Sequence, residues 1–359
     1  MHLNLHKKAF KKVLLIANGH EAYHKDVMQL AESVYYIDPY SQDKNHIQSL
    51  EIFKNYLKQN NLDNTSTKII YGSGLEEKPS IQEYLDNEFY IAGNLFSKYR
   101  YASNIYNLDK DIFNEKISLP EISESYHYKF LSKKHNSSGG MNVGNSAFSE
   151  NTYYQKYLPG KTYSISFIAN GKFSKILGYN QLFLVQDNHK YPFLHSGAMN
   201  LGLNDINIDF PKKFILDLSD LYDIKGYCSI DFKIVGNKIL LLDLNPRLSS
   251  SYRLYTRKYK NLMHHHLGLI NNEMKMISNQ YYAYIILYAK KDLVIDDSIN
   301  KLQDLTDKPI IGTFIKKDMP LFTINIHSNQ KDDLMVKIKK RIISAMEIID
   351  CYNTQLEYE

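Results

Sequence analysis

Asp231, in Gly226-Tyr-Cys-Ser-Ile-Asp231-Phe, and Asp243, in Leu240-Leu-Leu-Asp243-Leu-Asn245-Pro-Arg247, are the residues of this chain best arranged for chemistry. Apolar runs at 227–235 and 239–244 flank Gly236-Asn237 and read as an antiparallel hairpin with one acid on each strand. Alternation along the second strand puts Asp243, Asn245 and Arg247 on one face. Magnesium prefers carboxylate and amide oxygens together with substrate phosphates, and a planar guanidinium neutralises an oxyanion. These residue types therefore point to a Mg²⁺-nucleotide site. A plain hairpin with solvated acids is the other reading they leave open.

Register decides between the two. A two-residue loop at 236 and 237 sets Asp231 opposite Leu242 and turns the acids to different faces. A three-residue loop, Gly236-Asn237-Lys238, makes Asp231 face Asp243, and Gly and Asn tolerate the left-handed conformation that such a loop needs. The metal reading thus predicts the three-residue loop.

A second candidate precedes the hairpin. Phe130-Leu-Ser-Lys133-Lys134 reads as a strand that runs into His-Asn-Ser137-Ser138-Gly139-Gly140. Backbone N–H groups around Ser138, Gly139 and Gly140 could cradle phosphate oxygens, with Lys133 adding a point charge. A flexible surface loop with a solvated lysine is the alternative. It is not a Walker A loop, since Gly-x-x-x-x-Gly-Lys-Ser/Thr occurs nowhere.

The elements that must carry these groups follow from periodicity. Residues 13–17, 34–37 and 68–71 read as buried strands alternating with helices at 23–33, 46–59 and 80–87, a small parallel sheet covered on both faces. Gly72-Ser-Gly74-Leu-Glu76 at the third strand's end could admit a ligand or simply turn the chain. From residue 126 the pattern changes to short strands with glycine turns, at 128–133, 152–157, 163–168 and 172–179, and then a helix at 211–221. Residues 281–326 are again strand and turn. Leu334, Ile338, Ile342, Ala345 and Ile349 mark a closing amphipathic helix.

Bulk properties constrain partners. With 359 residues, 43% hydrophobic and 23% charged, the chain has room for two or three packed units of ordinary globular composition. A net charge of +5 from scattered lysines does not imply nucleic acid. Cys228 and Cys351 form neither a disulfide framework nor a zinc site and suit a reducing cytoplasm. Lys7, Lys8, Lys11 and Lys12 precede an apolar run too short for a signal segment, and no 18-residue apolar stretch exists, so no membrane is expected.

Taken in order, the Lys133 strand with its glycine loop, the segment Tyr154-Gln155-Lys156-Tyr157-Leu158-Pro159-Gly160, and the acid pair ending in Asn245-Pro246-Arg247 resemble the ATP-grasp superfamily. The segment ending in Asp38, Tyr71-Gly-Ser-Gly-Leu-Glu76 with Pro79, Ala92-Gly93-Asn94, and Lys308-Pro309-Ile-Ile-Gly312 are similar to a branch of predicted ATP-dependent carboxylate–amine ligases associated with one-carbon metabolism on tetrahydromethanopterin and methanofuran-type carriers. The resemblance implies α/β and α+β architecture: an ATP-grasp fold with an N-terminal Rossmann-like (pre-ATP-grasp) domain. It divides the chain into a pre-ATP-grasp domain at 1–95, a small subdomain with the glycine loop at 96–158, a central subdomain with the metal hairpin at 159–275, and a strand-rich segment with the closing helix at 276–359.

It further implies that ATP and Mg²⁺ are the cofactors. Lys133 would contact nucleotide phosphates, Gln155, Lys156, Tyr157 and Leu158 would form the adenine-binding hinge, and Asp231, Asp243 and Asn245 would hold Mg²⁺. Arg247 would stabilise the transferred phosphoryl group or an acyl phosphate. The partners are then a small carboxylate, such as glutamate, and an amine, and a homo-oligomer is compatible. Carboxylation through carboxyphosphate, or nucleotide binding without turnover, are the rival functions. Two departures stand out: aspartates occupy positions where the superfamily usually has glutamates, and the second phosphate lysine is best assigned to Lys98.

Three further segments invite roles. His264-His265-His266 point about 100° apart on a helix and cannot converge on one metal without other ligands, so they read as helix surface or interface rather than a metal site. Residues 191–200 read as a loop, at the surface or against an acceptor substrate. Cys228 reads as a small core residue.

Overall fold

The computed structural model describes residues 8–39, 46–104, 107–135, 137–144, 151–202, 205–206, 210–270 and 273–356. Lys7 of the basic N-terminal segment and Asn136 of the Ser/Gly loop lie outside them. Among the described residues no helix is long and apolar enough to cross a membrane.

The chain begins with a parallel sheet. Phe10–Ile16 pairs on one side with Ala31–Ile37 and on the other with Thr67–Tyr71, which pairs in turn with Tyr90–Ala92. The central strand is buried on both faces, which is why it reads as an unbroken apolar run. Leu14 and Ile16 join Phe53, Leu57, Ile81 and Leu85 of the helices Leu50–Gln59 and Pro79–Glu88, whereas Val13 and Leu15 join Val27 and Leu30 of helix Glu21–Leu30. Two helix ends differ from expectation. The side chain of Ser49 caps Ile52 N–H at 3.2 Å and starts the second helix there, not at residue 46. Residues 31–33, expected as helix, enter the sheet because parallel pairing with the first strand overrides their local preference.

Two further sheets frame the glycine loop and the acid hairpin. A small antiparallel one runs Ile122–Ser123, Thr152–Lys156, Phe130–Lys134, Val143–Gly144. A ten-stranded, mostly antiparallel sheet has Tyr163–Asn170 and the hairpin Lys225–Val235/Lys238–Asn245 toward one edge, and Tyr281–Tyr288 and Pro320–Ser328 toward the other. Helices Lys212–Leu221 and Lys331–Ile348 cover one face through Phe214, Leu218, Leu334, Ile338, Ile342 and Ala345. Across the other face, Tyr227, Tyr252, Tyr255 and Tyr284 pack with the N-terminal sheet.

Residues 195–200, expected within a loop, lie in strand His195–Leu201 inside the large sheet, between Ser174–Val185 and Tyr281–Tyr288. The approach is close: a Cβ at Gly197 would lie 2.1 Å from the Tyr284 carbonyl oxygen. Polar His195, Ser196 and Asn200 concealed the strand, because each finds an internal partner: Tyr284 Oη for His195, Thr354 Oγ1 for Ser196, and the Tyr282 N–H for Asn200.

Asn94 ties the first sheet to the hairpin. Its Nδ2 donates to Lys225 O at 2.7 Å and Pro246 O at 2.9 Å, and its Oδ1 accepts Lys225 N–H at 2.8 Å. One amide side chain thus joins the start of the first hairpin strand to the exit of the second. Replacing it by alanine leaves the Lys225 N–H, its carbonyl and the buried Pro246 carbonyl without this partner, at about 2–4 kcal/mol. Denaturant unfolding of Asn94→Ala should show that loss with an unchanged m-value; wild-type stability would exclude the clamp.

Candidate active site

The hairpin brings its acids together by a route other than the expected one. Val235 pairs with Lys238, so the loop is the two-residue turn Gly236-Asn237, with Gly236 at φ +60°, and not the three-residue loop. A β-bulge between Asp231 and Phe232 then corrects the register: Phe232 pairs with Leu241, Asp231 with Asp243, and Leu242 is the extra residue. The bulge costs regular ladder pairing. Lys133 meets it, its Nζ donating to Leu242 O at 3.1 Å and to Asp243 Oδ1 and Oδ2 at 2.9 and 3.0 Å. The same ammonium lies 3.4 Å from Gln155 Oε1.

Electrostatics follow from that geometry. Burial, and then the charge of Asp243, push Asp231 up from 3.8 to about 7, against the opposing pull of Lys133 and Arg247. Burial works against a charged Lys133, but Asp243 outweighs it and its pKa rises. Two facing carboxylates of which one resists ionisation, with Asn245 on the same strand opposite Ser229, form an all-oxygen set that fits a hard divalent cation. Among the described residues no three His, Cys, Asp or Glu side chains form a metal cluster, so such an ion would need Asn245 and ligand oxygens as well.

Arg247 is held from the N-terminal side. Its Nη2 meets Glu76 Oε1 at 2.9 Å, with both side chains about 95% buried, its Nη1 donates to Leu248 O at 3.1 Å, and the guanidinium lies 5.6 Å from the Tyr99 ring centre. Its Nε is buried without a partner. Glu76 was not anticipated as part of the site, although an acid two residues beyond Gly-Ser-Gly at a strand end is a visible signal. Its other oxygen accepts Gly74 N–H at 2.6 Å.

Hairpin, glycine loop and hinge line one cleft of about 1880 Å³. Ser138, Gly139 and Gly140 rest against the segment before His195: Gly139 O accepts His195 N–H at 2.9 Å, and a Cβ on Gly140 would stand 1.8 Å from Phe193 O, so only glycine fits. Gln155, Lys156, Tyr157 and Leu158 form the wall opposite, fixed by Lys156 N–H to Glu121 O and Tyr157 N–H to Lys129 O, both 2.9 Å. Lys98 does not join them. It sits on helix Phe96–Ser103, pairs with Asp223 and is absent from the cleft wall, so its expected phosphate contact is not formed by this placement. Lys233, two residues beyond Asp231 on the same strand, does line the cleft, and burial lowers its pKa to about 8.

His266 is not at a surface. It is buried, its Nδ1 accepts Tyr227 N–H at 2.8 Å, and burial lowers its pKa to about 4, whereas His264 and His265 are half-buried. Cys228 is fully buried and burial raises its thiol pKa, as a core residue requires.

Comparison with known proteins agrees with this architecture. Residues 102–251 match the ATP-grasp domain family. The chain is 25% identical over 268 residues to an uncharacterized protein of Methanocaldococcus jannaschii, covering 67% of this chain and 65% of the relative's length. Among solved structures it is similar to the L-amino acid ligase of Bacillus licheniformis (TM-score 0.61, 10% identity, 93% of this chain and 98% of that one). It is also similar to a carboxyaminoimidazole ribonucleotide synthase of Aspergillus clavatus complexed with ATP (0.66, 12%, 95% and 99%). A third likeness is the biotin carboxylase domain of Hydrogenobacter thermophilus 2-oxoglutarate carboxylase with MgADP and bicarbonate (0.65, 11%, 97% and 92%). The chain adopts the mixed α/β ATP-grasp fold.

The raised pKa of Asp231 has a sign that unfolding can read. The native state holds its proton up to about pH 7 and the unfolded chain only to about 3.8, so this group's contribution to stability falls as pH rises through that window and is flat above it. Asp231→Asn should therefore match wild type near pH 4 and exceed it by about 4 kcal/mol at pH 8. Chemical denaturation at the two pH values checks this; a pH-independent difference would show that burial and Asp243 together do not raise the Asp231 pKa.

Proposed function

We propose that this protein is an ATP-dependent ligase that joins a carboxylate, such as that of an amino acid like glutamate, to an amine through an acyl-phosphate intermediate. The observation that carries the reading is the bulged hairpin, which sets Asp231 against Asp243 at the floor of a cleft walled by a glycine loop and a hinge. The ATP and MgADP held by proteins of the same fold support nucleotide and magnesium as its cofactors. Asp231, Asp243 and Asn245 would hold the ion, Ser138, Gly139, Gly140 and Lys133 the phosphates, and Gln155 to Leu158 the adenine. Bound MgATP would supply the phosphoryl group that activates the carboxylate.

The chain's own contribution is positioning and charge neutralisation. Lys133 must exchange part of its contact with Asp243 for a phosphate oxygen, and its position between the hinge strand and the bulge allows that exchange without leaving the floor. Arg247, held by Glu76 and Leu248 O, is oriented before any substrate arrives, and its unpartnered Nε is the donor left for developing negative charge. A setting in carrier-cofactor synthesis for one-carbon metabolism rests on the resemblance of the 71–76, 92–94 and 308–312 segments, and a cytoplasmic setting on the two isolated cysteines.

ADP release with Mg²⁺, a panel of carboxylates and a panel of amines tests the proposal. Turnover should need both an acid and an amine. Lys133→Ala should raise the KM for ATP about 10–100-fold, the loss of a charge-assisted contact. Arg247→Ala should lower kcat about 100-fold with little change in ATP affinity, and Arg247→Lys should recover little, because a point charge lacks the planar fork. Release that depends on bicarbonate would replace the ligase reading with carboxyphosphate chemistry. ATP binding without release under every condition would make the protein a non-catalytic binder.

A further inference from the structure

We propose that the end of the cleft between the N-terminal parallel sheet and the loop after Arg247 is an acceptor subsite for a molecule bearing an ammonium and a carboxylate close together, as an α-amino acid does. It rests on the ligase reading above and specifies the amine of that reaction.

Unpaired buried polar atoms mark the place. Arg253, 7% exposed, donates from Nη1 to Thr306 Oγ1 at 3.4 Å and from Nη2 to Asp307 Oδ2 at 3.3 Å, while its Nε has no partner. Asp307 Oδ2 also accepts from Thr323 Oγ1 at 3.1 Å, but its Oδ1 is buried with nothing to accept. His20 Nδ1 and the Tyr36 hydroxyl are likewise buried and unpartnered, with the two rings 4.9 Å apart. All four residues line the cleft. Native structures leave only a few such atoms per hundred residues, so four at one end of one cleft call for a ligand.

The pieces converge because the chain leaving the first strand folds over them. Gly19 stands at φ +59°, where a Cβ would lie 3.0 Å from Arg253 Nη2 and 3.1 Å from Asp307 Oδ2, and Glu21 Oε2 accepts Asp307 N–H at 2.9 Å. This is the carboxyl end of a parallel strand, where open α/β sheets bind ligands. The free atoms set the ligand's chemistry: a guanidinium N–H requires an anionic acceptor and a carboxylate oxygen requires a donor, cationic by preference. Tyr23 places this end beside the transfer site. Burial raises its pKa to about 12, while Arg253, Arg247 and Asp307 all act on the same phenol.

A carboxylate paired with the Arg253 guanidinium is held as an anion by that contact, so the bound molecule serves as acceptor and not as the acid to be activated. Its ammonium gives up a proton, to Asp307 or to water, and the nitrogen lone pair attacks the acyl carbonyl. The C–N bond forms and the C–O bond to phosphate breaks. Phosphate leaves with that electron pair, and the second N–H proton neutralises it to hydrogen phosphate.

Calorimetric titration of the full chain with each of the twenty L-amino acids tests the assignment, with the decarboxylated amine and the N-acetyl derivative of each as controls and ATP binding measured in parallel. At least one amino acid should bind, and removing either its carboxylate or its free amine should weaken binding at least about tenfold. Tyr36→Phe removes a hydroxyl that has no partner in the free protein, so it should keep the wild-type melting temperature yet weaken amino-acid binding; Asp307→Asn should act most on the free amine. ATP binding by the same variants separates loss of this subsite from loss of the fold. Protein that binds ATP but no amino acid overturns this inference alone, as do controls that bind equally or a Tyr36→Phe that binds as wild type. Failure to bind ATP overturns the ligase reading beneath it.

Discussion

The contact of Lys133 with the bulged hairpin is the constraint on which the floor of the cleft depends. Leu242 is one residue too many for a regular pairing, and it alone turns Asp243 onto the face of Asp231. A bulge leaves a strand carbonyl without its ladder partner, and a buried carbonyl is expensive to leave unpaired. The Lys133 ammonium supplies that partner and neutralises Asp243 with the same three hydrogens. Backbone irregularity, carboxylate pairing and lysine burial therefore hold one another in place, and the small sheet that carries Lys133 is bound to the large sheet through them.

A second consequence is electrostatic. Burial, and then the facing charge of Asp243, keep the proton on Asp231 to an unusually high pH, whereas Asp243 has the Lys133 ammonium in contact. A divalent ion between them would reverse that preference, because a local double charge favours both carboxylates ionised. The floor is thus strained in charge, and it is relieved by what the cleft is shaped to admit.

The N-terminal sheet does more than cap the molecule. Glu76 fixes Arg247, Asn94 fixes the strand exit just before it, and residues 19–21 close over Arg253 and Asp307. One half of the cleft is built on the small and large antiparallel sheets and the other on parallel strand ends, with Arg247 and Arg253 at the junction. The fold is shared with enzymes of differing chemistry, so the functional distinction lies in these side chains and not in the architecture.

Local pattern was enough for much of this protein. Apolar periodicity placed the parallel strands, the closing helix and the hairpin, because burial on one or two faces writes itself into residue spacing. Residue chemistry singled out Lys133, Ser138 to Gly140, Asp231, Asp243, Asn245 and Arg247, the family resemblance added Gln155 to Leu158, and all of them meet in one cleft. Tertiary structure alone decided the rest. A bulge depends on what approaches from another sheet, so counting loop residues gave the wrong turn and yet the right facing of the acids. Strand His195–Leu201 was hidden because its polar groups are satisfied by distant partners. Lys98 pairs with Asp223 outside the cleft, and the pairing of Glu76 with Arg247, 171 positions apart, or of Arg253 with Asp307 leaves no trace in local spacing.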